Sequence, residues 1–492
     1  MEQINHLING IEMPSQAGAT FLNENPATGE IIGAVALGGA ADVDAAVNAA
    51  HAAFYGEWSR LTPAQRGKLM YRVAELLEAH GEEIAQAETI DAGKPLANNR
   101  VIDVPFCADF WRFYAGAADK LRTPVAANEP GTFRYTVREP YGVVGAIAPW
   151  NFPLVMATIK ISMALAAGNT VVMKMAEQTP LTTAILGKIL LEAGIPPGVV
   201  NVVQGDGTTG AALVSHPKVA KICFTGSSSV GRSIGETCAR LSKPTLLEMG
   251  GKSANIVFAD ANLDQAINGV MQAGLSNNGQ FCLAASRILV EESIAEKVIE
   301  GLVAKARSVR VGDPRDPATH CGPLVSKAQW ERVAGYIAIG QSEGAELLTG
   351  GGKPADLPDE CRNGYFMSPT VFRNMTPEMR IFREEIFGPV VGVTTFKTEA
   401  EAIKLANDCD YGLGAFFWTE DLSRAHRISN AMDAGLVFVN MPQYMVPQVP
   451  VGIRKMSGAG QNFGMEALEN YTKVKGVYIN YSGQIYPWLA DS

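Results

Sequence analysis

Residues 143–173 read VVGAIAPWNFPLVMATIKISMALAAGNTVVM and contain the pattern that decides the fold. Val143–Ala148 and Thr170–Met173 are short apolar runs, and the alanine-rich segment Thr158–Ala167 between them favours a helix. Runs that are apolar at consecutive positions are typical of strands buried on both faces. A strand, a helix and a second such strand predict one unit of a parallel, doubly wound sheet.

The same alternation continues towards the C-terminus. Further candidate elements are the strands Val199–Val203, Ile222–Phe224 and Ser253–Phe258 and the helix Thr182–Glu192. A second alternation over about 260–440 predicts another domain of the same kind. Before residue 143, we expect mainly helix after a short extended start. The sequence therefore predicts an α/β protein with two doubly wound parallel-sheet domains.

Composition and charge exclude several classes of protein. The 492 residues carry a net charge of -9, which argues against nucleic acid or an anionic membrane as the main partner. No apolar run reaches the roughly 18 residues that a membrane-spanning helix needs. The sequence starts without a basic region followed by an apolar stretch, so we expect no secretory signal and a cytoplasmic location. Seven cysteines and six histidines show no metal-ligand spacing, and we expect neither a metal nor a disulfide framework.

Two segments carry candidates for covalent and acid–base chemistry. Cys282 ends the run Ser276-Asn277-Asn278-Gly279-Gln280-Phe281-Cys282. Cysteine is a strong nucleophile once its thiolate forms, and the preceding glycine allows a tight backbone near a ligand. Glu248 lies between an apolar strand and the double glycine Gly250-Gly251, where partial burial favours a general base. Taken alone, each residue also fits an ordinary structural role.

Two further segments carry candidates for binding. Asn151 lies in Ala148-Pro149-Trp150-Asn151-Phe152-Pro153, where its neighbours could aim the amide at a developing oxyanion. The run Phe224-Thr225-Gly226-Ser227-Ser228-Ser229-Val230-Gly231 falls at a predicted strand-to-helix junction, where a helix N-terminus can bind phosphate. Its spacing is neither GxGxxG nor that of a P-loop. By themselves these residues indicate no more than a turn asparagine and a candidate pyrophosphate site.

In this order and at these separations, the four segments resemble the aldehyde dehydrogenase superfamily. The resemblance extends from Asn25-Pro26 to Tyr471-Thr472-Lys473-Val474-Lys475. It includes Lys174-Met175-Ala176-Glu177-Gln178-Thr179-Pro180 and Glu384-Glu385-Ile386-Phe387-Gly388-Pro389. The co-occurrence of six motifs is highly specific and outweighs the structural interpretation of each one. The branch that it resembles forms carboxylic acids, is tetrameric, and includes betaine aldehyde and broad-substrate aldehyde dehydrogenases.

The resemblance implies that the chain oxidises an aldehyde to a carboxylic acid. Cys282 would attack the aldehyde carbon, and the Asn151 amide with the backbone N–H of Cys282 would stabilise the hemithioacetal oxyanion. After hydride transfer leaves a thioester on Cys282, Glu248 would activate the water that hydrolyses it. Lys160 would help the released proton to leave. Asn462 stands where the family has a glutamate linked to Lys160, and because asparagine cannot titrate, the exit route stays open.

The resemblance also implies NAD as the cofactor. By family position the contacts are Lys174 and Glu177 at the adenosine ribose, Trp150 and Ser227 at the pyrophosphate, Glu385 and Phe387 beside the nicotinamide and its ribose, and Gly207 and Gly226 as further contacts. A carboxylate at Glu177 favours NAD, because the extra phosphate of NADP would meet a like charge. Lys174 moderates this preference, so the use of NADP stays open.

The substrate tunnel that the resemblance implies is apolar. By family position it is lined by Phe152, Met156, Ile159, Phe281, Leu283, Met445 and Val451. Ile159 and Val451 stand where many relatives carry aromatic rings, so part of a box for a quaternary ammonium is missing. We predict an apolar or aromatic aldehyde as substrate. A betaine aldehyde, an aminoaldehyde or a semialdehyde is the alternative, since Tyr444 or Arg454 could reach into the tunnel.

The resemblance leaves two alternatives to an acid-forming enzyme. In a CoA-acylating enzyme on the same fold, CoA would take the acyl group, but the water-activating carboxylate Glu248 favours hydrolysis. In a non-catalytic member that binds or supports other molecules, the catalytic residues would be dispensable. The presence of Cys282, Glu248 and Asn151 together argues against that alternative.

The family architecture implies three parts. A Rossmann-like NAD-binding domain would comprise 1–119 and 141–250, and the catalytic domain would comprise 251–450. A small β oligomerisation element would combine 120–140 with 466–492. Because such β-extensions pair between subunits, we expect a homodimer or a homotetramer.

Overall fold

The computed structural model describes residues 2–483. The strands in this part of the chain are β1 (Glu2–Ile4), β2 (His6–Ile8), β3 (Ile11–Met13), β4 (Thr20–Glu24), β5 (Ile31–Ala36), β6 (Thr132–Pro140), β7 (Val143–Ile147), β8 (Thr170–Lys174), β9 (Val200–Val202), β10 (Val219–Thr225), β11 (Thr245–Glu248), β12 (Ala254–Val257), β13 (Arg287–Glu291), β14 (Glu346–Thr349), β15 (Thr370–Arg373), β16 (Val390–Phe396), β17 (Gly414–Trp418), β18 (Leu436–Val439), β19 (Val451–Gly452), β20 (Gly458–Ala459), β21 (Gln461–Asn462) and β22 (Thr472–Asn480).

The α-helices connect and cover these strands. They are α1 (Ala40–Tyr55), α2 (Pro63–Ala79), α3 (Gly81–Ala92), α4 (Leu96–Asn98), α5 (Val104–Ala117), α6 (Pro153–Ala166), α7 (Leu181–Glu192), α8 (Gly207–Ser215), α9 (Ser228–Arg240), α10 (Leu263–Leu275), α11 (Ala295–Ser308), α12 (Lys327–Ser342), α13 (Arg380–Arg383), α14 (Glu399–Asn407), α15 (Leu422–Ala431) and α16 (Glu466–Asn470). No helix within 2–483 is long and apolar enough to cross a membrane.

The first large sheet has the order β20-β11-β10-β7-β8-β9-β2-β3. Its five central strands are mutually parallel, and from β9 to β11 they follow the sequence order 3-2-1-4-5. This is the order of a doubly wound, Rossmann-type sheet, as the alternation around 143–173 predicted. The winding reverses between β7 and β10. The carboxyl ends of these two strands therefore border the crevice in which such sheets bind ligands.

The second large sheet has the order β14-β15-β16-β13-β12-β17-β18, and only β14 runs antiparallel to its neighbour. Strands β12 and β17 are buried along their whole length, as expected for strands of a sheet that is covered on both faces. The predicted second α/β alternation is thereby confirmed. The fold is α/β with two parallel-sheet units.

Helix α6 occupies the middle of the core on one face of the first sheet. Every residue of α6 is buried, Lys160 included. The helix begins at Pro153, five positions before the predicted start, because proline is favoured in the first turn and its missing N–H costs nothing there. Sequence periodicity located the helix but not this beginning.

Strands β6 and β22 form a separate two-stranded antiparallel ribbon, paired from Thr132↔Asn480 to Pro140↔Thr472. Its apolar side chains are exposed: Val474 by 59% and Tyr478 by 81%. A ribbon of this kind leaves main-chain edges unpaired and apolar surface in water. Residues 484–492 of the predicted oligomerisation element lie outside the described residues.

Candidate active site

The nucleophile candidate follows an unusual turn. Asn277, Asn278 and Gly279 all have positive φ, at 50°, 55° and 72°. A Cβ on Gly279 would lie 2.1 Å from the backbone oxygen of Gly388, so only glycine fits there. Asparagine and glycine are the residues that tolerate the left-handed region, and such strain concentrates at functional sites. The Asn-Asn-Gly run before Cys282 is therefore explained by backbone geometry.

Cys282 differs from the other cysteines of the described chain. It is half-buried, whereas the other six are buried. Burial raises the pKa of its thiol, and the charges of Glu248 and Glu385 raise it further. The resting group is therefore the thiol, and attack on a carbonyl requires a base to remove its proton.

Asn151 lies beyond the carboxyl end of β7, at the reversal of the first sheet. Its Nδ2 donates to the backbone oxygen of Gln280 at 3.0 Å, and Asn277 Nδ2 donates to the backbone oxygen of Asn151 at 2.7 Å. These two bonds hold the asparagine against the segment that carries Cys282. Because Nδ2 bears two protons, one N–H remains for an oxyanion.

Glu248 ends β11 and is connected to a buried amine. Thr225 Oγ1 donates to Glu248 Oε2 at 3.3 Å, and Lys160 Nζ donates to Thr225 Oγ1 at 2.6 Å. Burial lowers the pKa of Lys160, while the charge of Glu248 raises it. The two residues that the resemblance linked to hydrolysis are thus joined through Thr225, which the sequence had suggested only as part of a phosphate turn.

Cys282 and Glu248 border a common cavity. Its wall comprises Met156, Ile159, Thr225, Glu248, Met249, Phe281, Cys282, Leu283, Leu413, Leu436, Met445, Val451 and Phe463. Six of the seven predicted pocket residues belong to this wall. The seventh, Phe152, packs beside it, with its ring centre 5.0 Å from that of Phe281. Apart from Thr225, Glu248 and Cys282, the wall is apolar.

Sequence reasoning missed several residues of the wall. Leu413 precedes β17 and Leu436 begins β18 of the second sheet, so both lie far along the chain and carry no local chemical signal. Phe463 follows Asn462, and its ring contributes aromatic surface to the wall. The sequence did not predict this residue as part of the pocket. Tyr444 and Arg454 do not line the cavity: Tyr444 is 71% exposed, and Arg454 Nη1 lies 3.3 Å from Asp433 Oδ1.

The predicted cofactor residues at the first sheet share its carboxyl edge. Ser227 caps α9, accepting a hydrogen bond from Val230 N at 3.4 Å, and Gly226 precedes it. Gly207 begins α8, and Lys174 ends β8. Lys174 Nζ lies 3.5 Å from Glu177 Oε2. These helix N-termini and this ion pair lie where doubly wound sheets bind nucleotides.

The remaining cofactor candidates come from the segments around the nucleophile candidate. The rings of Trp150 and Phe387 meet edge to face with centres 5.3 Å apart. Glu385 Oε1 accepts a hydrogen bond from Gly251 N at 2.9 Å, and burial raises the pKa of this carboxyl to about 7. A Cβ on Gly250 would lie 2.5 Å from Glu385 Oε2, and one on Gly251 would lie 2.2 Å from the backbone oxygen of Cys282. The double glycine thus lets Glu248, Glu385 and Cys282 approach one another.

Comparison with known proteins agrees with this geometry. The model of the aldehyde dehydrogenase family matches residues 13–477. A mitochondrial aldehyde dehydrogenase of Rattus norvegicus is 45% identical over 464 residues, covering 94% of this chain and 88% of that relative. A 2-hydroxymuconic semialdehyde dehydrogenase of Pseudomonas sp. (strain CF600) is 41% identical over 97% of this chain and 100% of that relative. The NAD+ complex of an aldehyde dehydrogenase from Bacillus cereus has a TM-score of 0.95 and 43% identity, with 97% of each chain covered. The chain belongs to the aldehyde dehydrogenase family.

Proposed function

We propose that this enzyme oxidises an apolar or aromatic aldehyde to the carboxylic acid with NAD, through a thioester on Cys282. One observation carries the proposal: a thiol and a carboxylate linked to a buried amine border one apolar cavity, and an amide is held against the segment that carries the thiol. These groups suit acyl chemistry with hydrolysis of the intermediate.

The first step uses Cys282 and Asn151. As the Cys282 sulfur bonds to the aldehyde carbon, the thiol passes its proton to solvent water and negative charge develops on the carbonyl oxygen. The free N–H of the Asn151 amide and the backbone N–H of Cys282 are the donors for that oxyanion. Donors that are already fixed by hydrogen bonds stabilise the charge without reorganising, which is the main source of such catalysis.

The residues at the carboxyl edge fit NAD. Two helix N-termini with small residues, Gly207 and Gly226-Ser227, suit a pyrophosphate. The half-exposed carboxylate of Glu177 suits a ribose hydroxyl and disfavours a 2′-phosphate. Near Cys282, Glu385 has one oxygen engaged by Gly251 N and suits a ribose hydroxyl with the other. When bound, NAD supplies the hydride acceptor.

The second step uses Glu248. A water that attacks the thioester carbon gives a proton to Glu248, the carbon–sulfur bond breaks, the Cys282 thiolate takes up a proton from solvent, and the acid leaves. Thr225 donates a hydrogen bond to this carboxylate, and Lys160 in turn donates a hydrogen bond to Thr225. A general base that must release its proton after each turnover benefits from such a connection. CoA acylation would need no such base, so the arrangement favours hydrolysis.

The cavity supports an uncharged substrate. Within residues 2–483, no lysine, arginine or histidine lines its wall, so the carboxylate of a semialdehyde finds no counter-ion among these residues. Phe281 and Phe463 provide two aromatic rings, fewer than a full box around a quaternary ammonium requires. We therefore favour apolar and aromatic aldehydes over betaine aldehyde, aminoaldehydes and semialdehydes.

The division into domains and the oligomeric state are part of the same proposal. We assign NAD binding to 1–119 and 141–250, catalysis to 251–450, and assembly to 120–140 with the C-terminal segment from 466. The exposed apolar side chains of the β6–β22 ribbon support pairing with another copy, in a homodimer or homotetramer. Sedimentation of the purified protein measures this state directly.

Substitution of the nucleophile tests the proposal. Cys282→Ala should abolish NADH formation from benzaldehyde and leave NAD binding intact, because no thioester can form. Cys321→Ala, at a buried cysteine away from the cavity, is the matched control and should retain most activity. Turnover of Cys282→Ala near the wild-type rate would support a non-catalytic or different role for this site.

A further inference from the structure

Three charged side chains are buried together beside the segment that carries Asn151. Glu88 belongs to α3, Lys94 follows that helix, and Asp103 precedes α5. Their exposures are 1%, 3% and 4%. Taking charges out of water is costly, and their mutual attraction offsets this cost only when the polar atoms are well paired. We call these three residues the buried charge cluster.

The Lys94 ammonium has three N–H donors and three partners. Its Nζ donates to Glu88 Oε1 at 2.9 Å and also to Asp103 Oδ2. It lies over the ring of Phe152, 4.1 Å from the ring centre. Burial by itself would lower the pKa of this amine, but the charges of Asp103 and Glu88 raise it above the ordinary value, so the group stays a cation. A desolvated cation is attracted to the negative face of an aromatic ring.

Glu88 uses its second carboxylate oxygen at the beginning of α6. The backbone N–H of Leu154 donates to Glu88 Oε2 at 3.2 Å. Phe152 precedes the helix and supplies no side-chain cap, and Pro153 has no N–H, so Leu154 carries the first free donor of the helix. A carboxylate suits this end, because a helix N-terminus bears partial positive charge. Glu88 therefore fixes the beginning of α6 from another helix.

Both contacts act on the segment that carries the proposed oxyanion donor. Phe152 directly follows Asn151, and Leu154 comes two residues later. The amide and the backbone oxygen of Asn151 are held by separate bonds to Gln280 and Asn277. The buried charge cluster adds restraints on the same segment that are independent of those two bonds.

Phe152 carries this restraint to the cavity wall. Its ring centre lies 5.0 Å from that of Phe281, and its side chain packs against the apolar group formed by Phe281, Leu283 and Leu413. These three residues line the cavity. An aromatic aldehyde can pack against rings whose positions are fixed, whereas a two-carbon aldehyde makes little contact with them.

The loop that carries Lys94 is in contact with the part of the chain that holds the nucleophile candidate. A Cβ on Gly322 would lie 2.0 Å from the backbone oxygen of Gly93, so only glycine permits this approach. The backbone oxygen of Gly322 accepts a hydrogen bond from Asn278 Nδ2 at 2.9 Å. Since Asn278 belongs to the left-handed turn before Cys282, the loop of Lys94 and this turn share a direct neighbour.

We propose that Lys94 is a positioning residue for aldehyde specificity: its ammonium, held by two buried carboxylates, fixes the ring of Phe152 and thereby the aromatic side of the substrate cavity. This inference rests on the proposed function and names what keeps that side of the cavity rigid. Lys94 is not one of the wall residues in the described chain, so it acts on the aldehyde through Phe152. It takes no part in bond making or proton transfer.

Removal of the ammonium tests this role. Lys94→Met should lower the ratio of kcat/KM with benzaldehyde to kcat/KM with acetaldehyde about tenfold, because the ring of Phe152 loses the cation that holds it. Both values come from one preparation, so their ratio does not depend on the fraction of the protein that is folded. Lys221→Met removes another buried amine of the core and is the matched control, which should keep the wild-type ratio.

A second comparison assigns the effect to the aromatic ring. In a Phe152→Leu background, where the side chain is apolar but has no aromatic face, Lys94→Met should cause no further change in the ratio. In a Phe152→Tyr background, which keeps the aromatic face, the tenfold loss should persist. Side chains that act through a direct contact show this kind of non-additivity.

The outcomes separate this role from loss of folding and from the proposed function. Lys94→Met leaves two carboxylates buried without their cation; should it fail to fold, Lys94→Met/Asp103→Asn gives the same test, because it removes one charge of each sign and leaves Glu88 in place. A ratio within twofold of wild type, an equal loss in the Phe152→Leu background, or the same loss in Lys221→Met would overturn the role of Lys94. The proposed function fails on a different result, namely NADH formation that does not need Cys282.

Discussion

The side-chain amide of Asn151 and the backbone oxygen of Gln280 are joined by a 3.0 Å hydrogen bond that connects the two large sheets. Asn151 follows β7 of the first sheet, whereas Gln280 precedes β13 of the second by six residues of chain that include Cys282. The bond therefore fixes the distance between the proposed oxyanion donor and the proposed nucleophile. It also uses one of the two amide protons and leaves the other free.

Asn151→Ala removes this donor. We expect kcat to fall by about 10²–10³, since that is the usual cost of losing one oxyanion donor. Steady-state NADH formation measures the effect, and NAD titration by fluorescence checks that the cofactor still binds. Asn268→Ala, at an exposed asparagine of α10, is the control. A loss smaller than threefold would mean that the Cys282 N–H suffices.

Glu248→Gln separates the two half-reactions. Hydride transfer should still occur once per site, so a burst of NADH should precede very slow turnover. Stopped-flow absorbance records the burst, and mass spectrometry of the intact chain should detect an acyl group. Glu236→Gln, an exposed glutamate on α9, should behave as wild type. An unchanged steady-state rate would make Glu248 a structural carboxylate.

Glu177→Ala tests the choice of cofactor. The wild type should show a higher kcat/KM with NAD than with NADP. In the variant, the ratio of kcat/KM with NAD to kcat/KM with NADP should be roughly tenfold smaller, because the like-charge repulsion of the 2′-phosphate is lost. Lys174 would then be free to contact the 2′-phosphate. Gln178→Ala should leave the ratio unchanged. NADP preference in the wild type would contradict the assigned role of Glu177.

The Glu385 carboxyl predicts a pH dependence. Burial raises its pKa to about 7, so the group is a carboxylate above that pH and protonated below it. Because a ribose hydroxyl donates better to the carboxylate, KM for NAD should rise as pH falls from 8 to 6, by at most about tenfold. Glu385→Gln should abolish this slope. In Glu384→Gln, whose carboxylate pairs with Arg380 instead, the slope should persist.

The apolar cavity predicts a substrate preference. Benzaldehyde and medium-chain alkanals should have higher kcat/KM than betaine aldehyde and succinic semialdehyde. Along an alkanal series, each added methylene should increase kcat/KM by up to about fourfold until the cavity is filled, as burial of about 0.8 kcal/mol allows. Phe463→Ala should shift the optimum towards longer chains. A clear preference for either charged aldehyde would refute the assignment.

The features of the fold that could be predicted from the sequence are those that a local residue pattern indicates. Buried strands such as β7 and β8 were predictable because their residues are apolar at consecutive positions. For Cys282, Glu248 and Asn151 the local pattern gives only candidates, and the predicted roles come from the resemblance of the whole chain to the family. The Thr225 bridge was not predictable, since its meaning depends on the register between β10 and β11. Leu413, Leu436 and Phe463 are ordinary apolar residues until the fold brings them to one cavity.

The left-handed run at Asn277, Asn278 and Gly279 has a consequence for recombination between relatives. This turn belongs to the second sheet's part of the chain, yet Asn277 and Gln280 bond to Asn151 of the first. A hybrid chain that takes residues before about 250 from one family member and the rest from another inherits the proposed oxyanion donor and the proposed nucleophile from different parents. Such a hybrid can fold in both halves and still be inactive, because activity requires that the two parents share the same spacing across this junction.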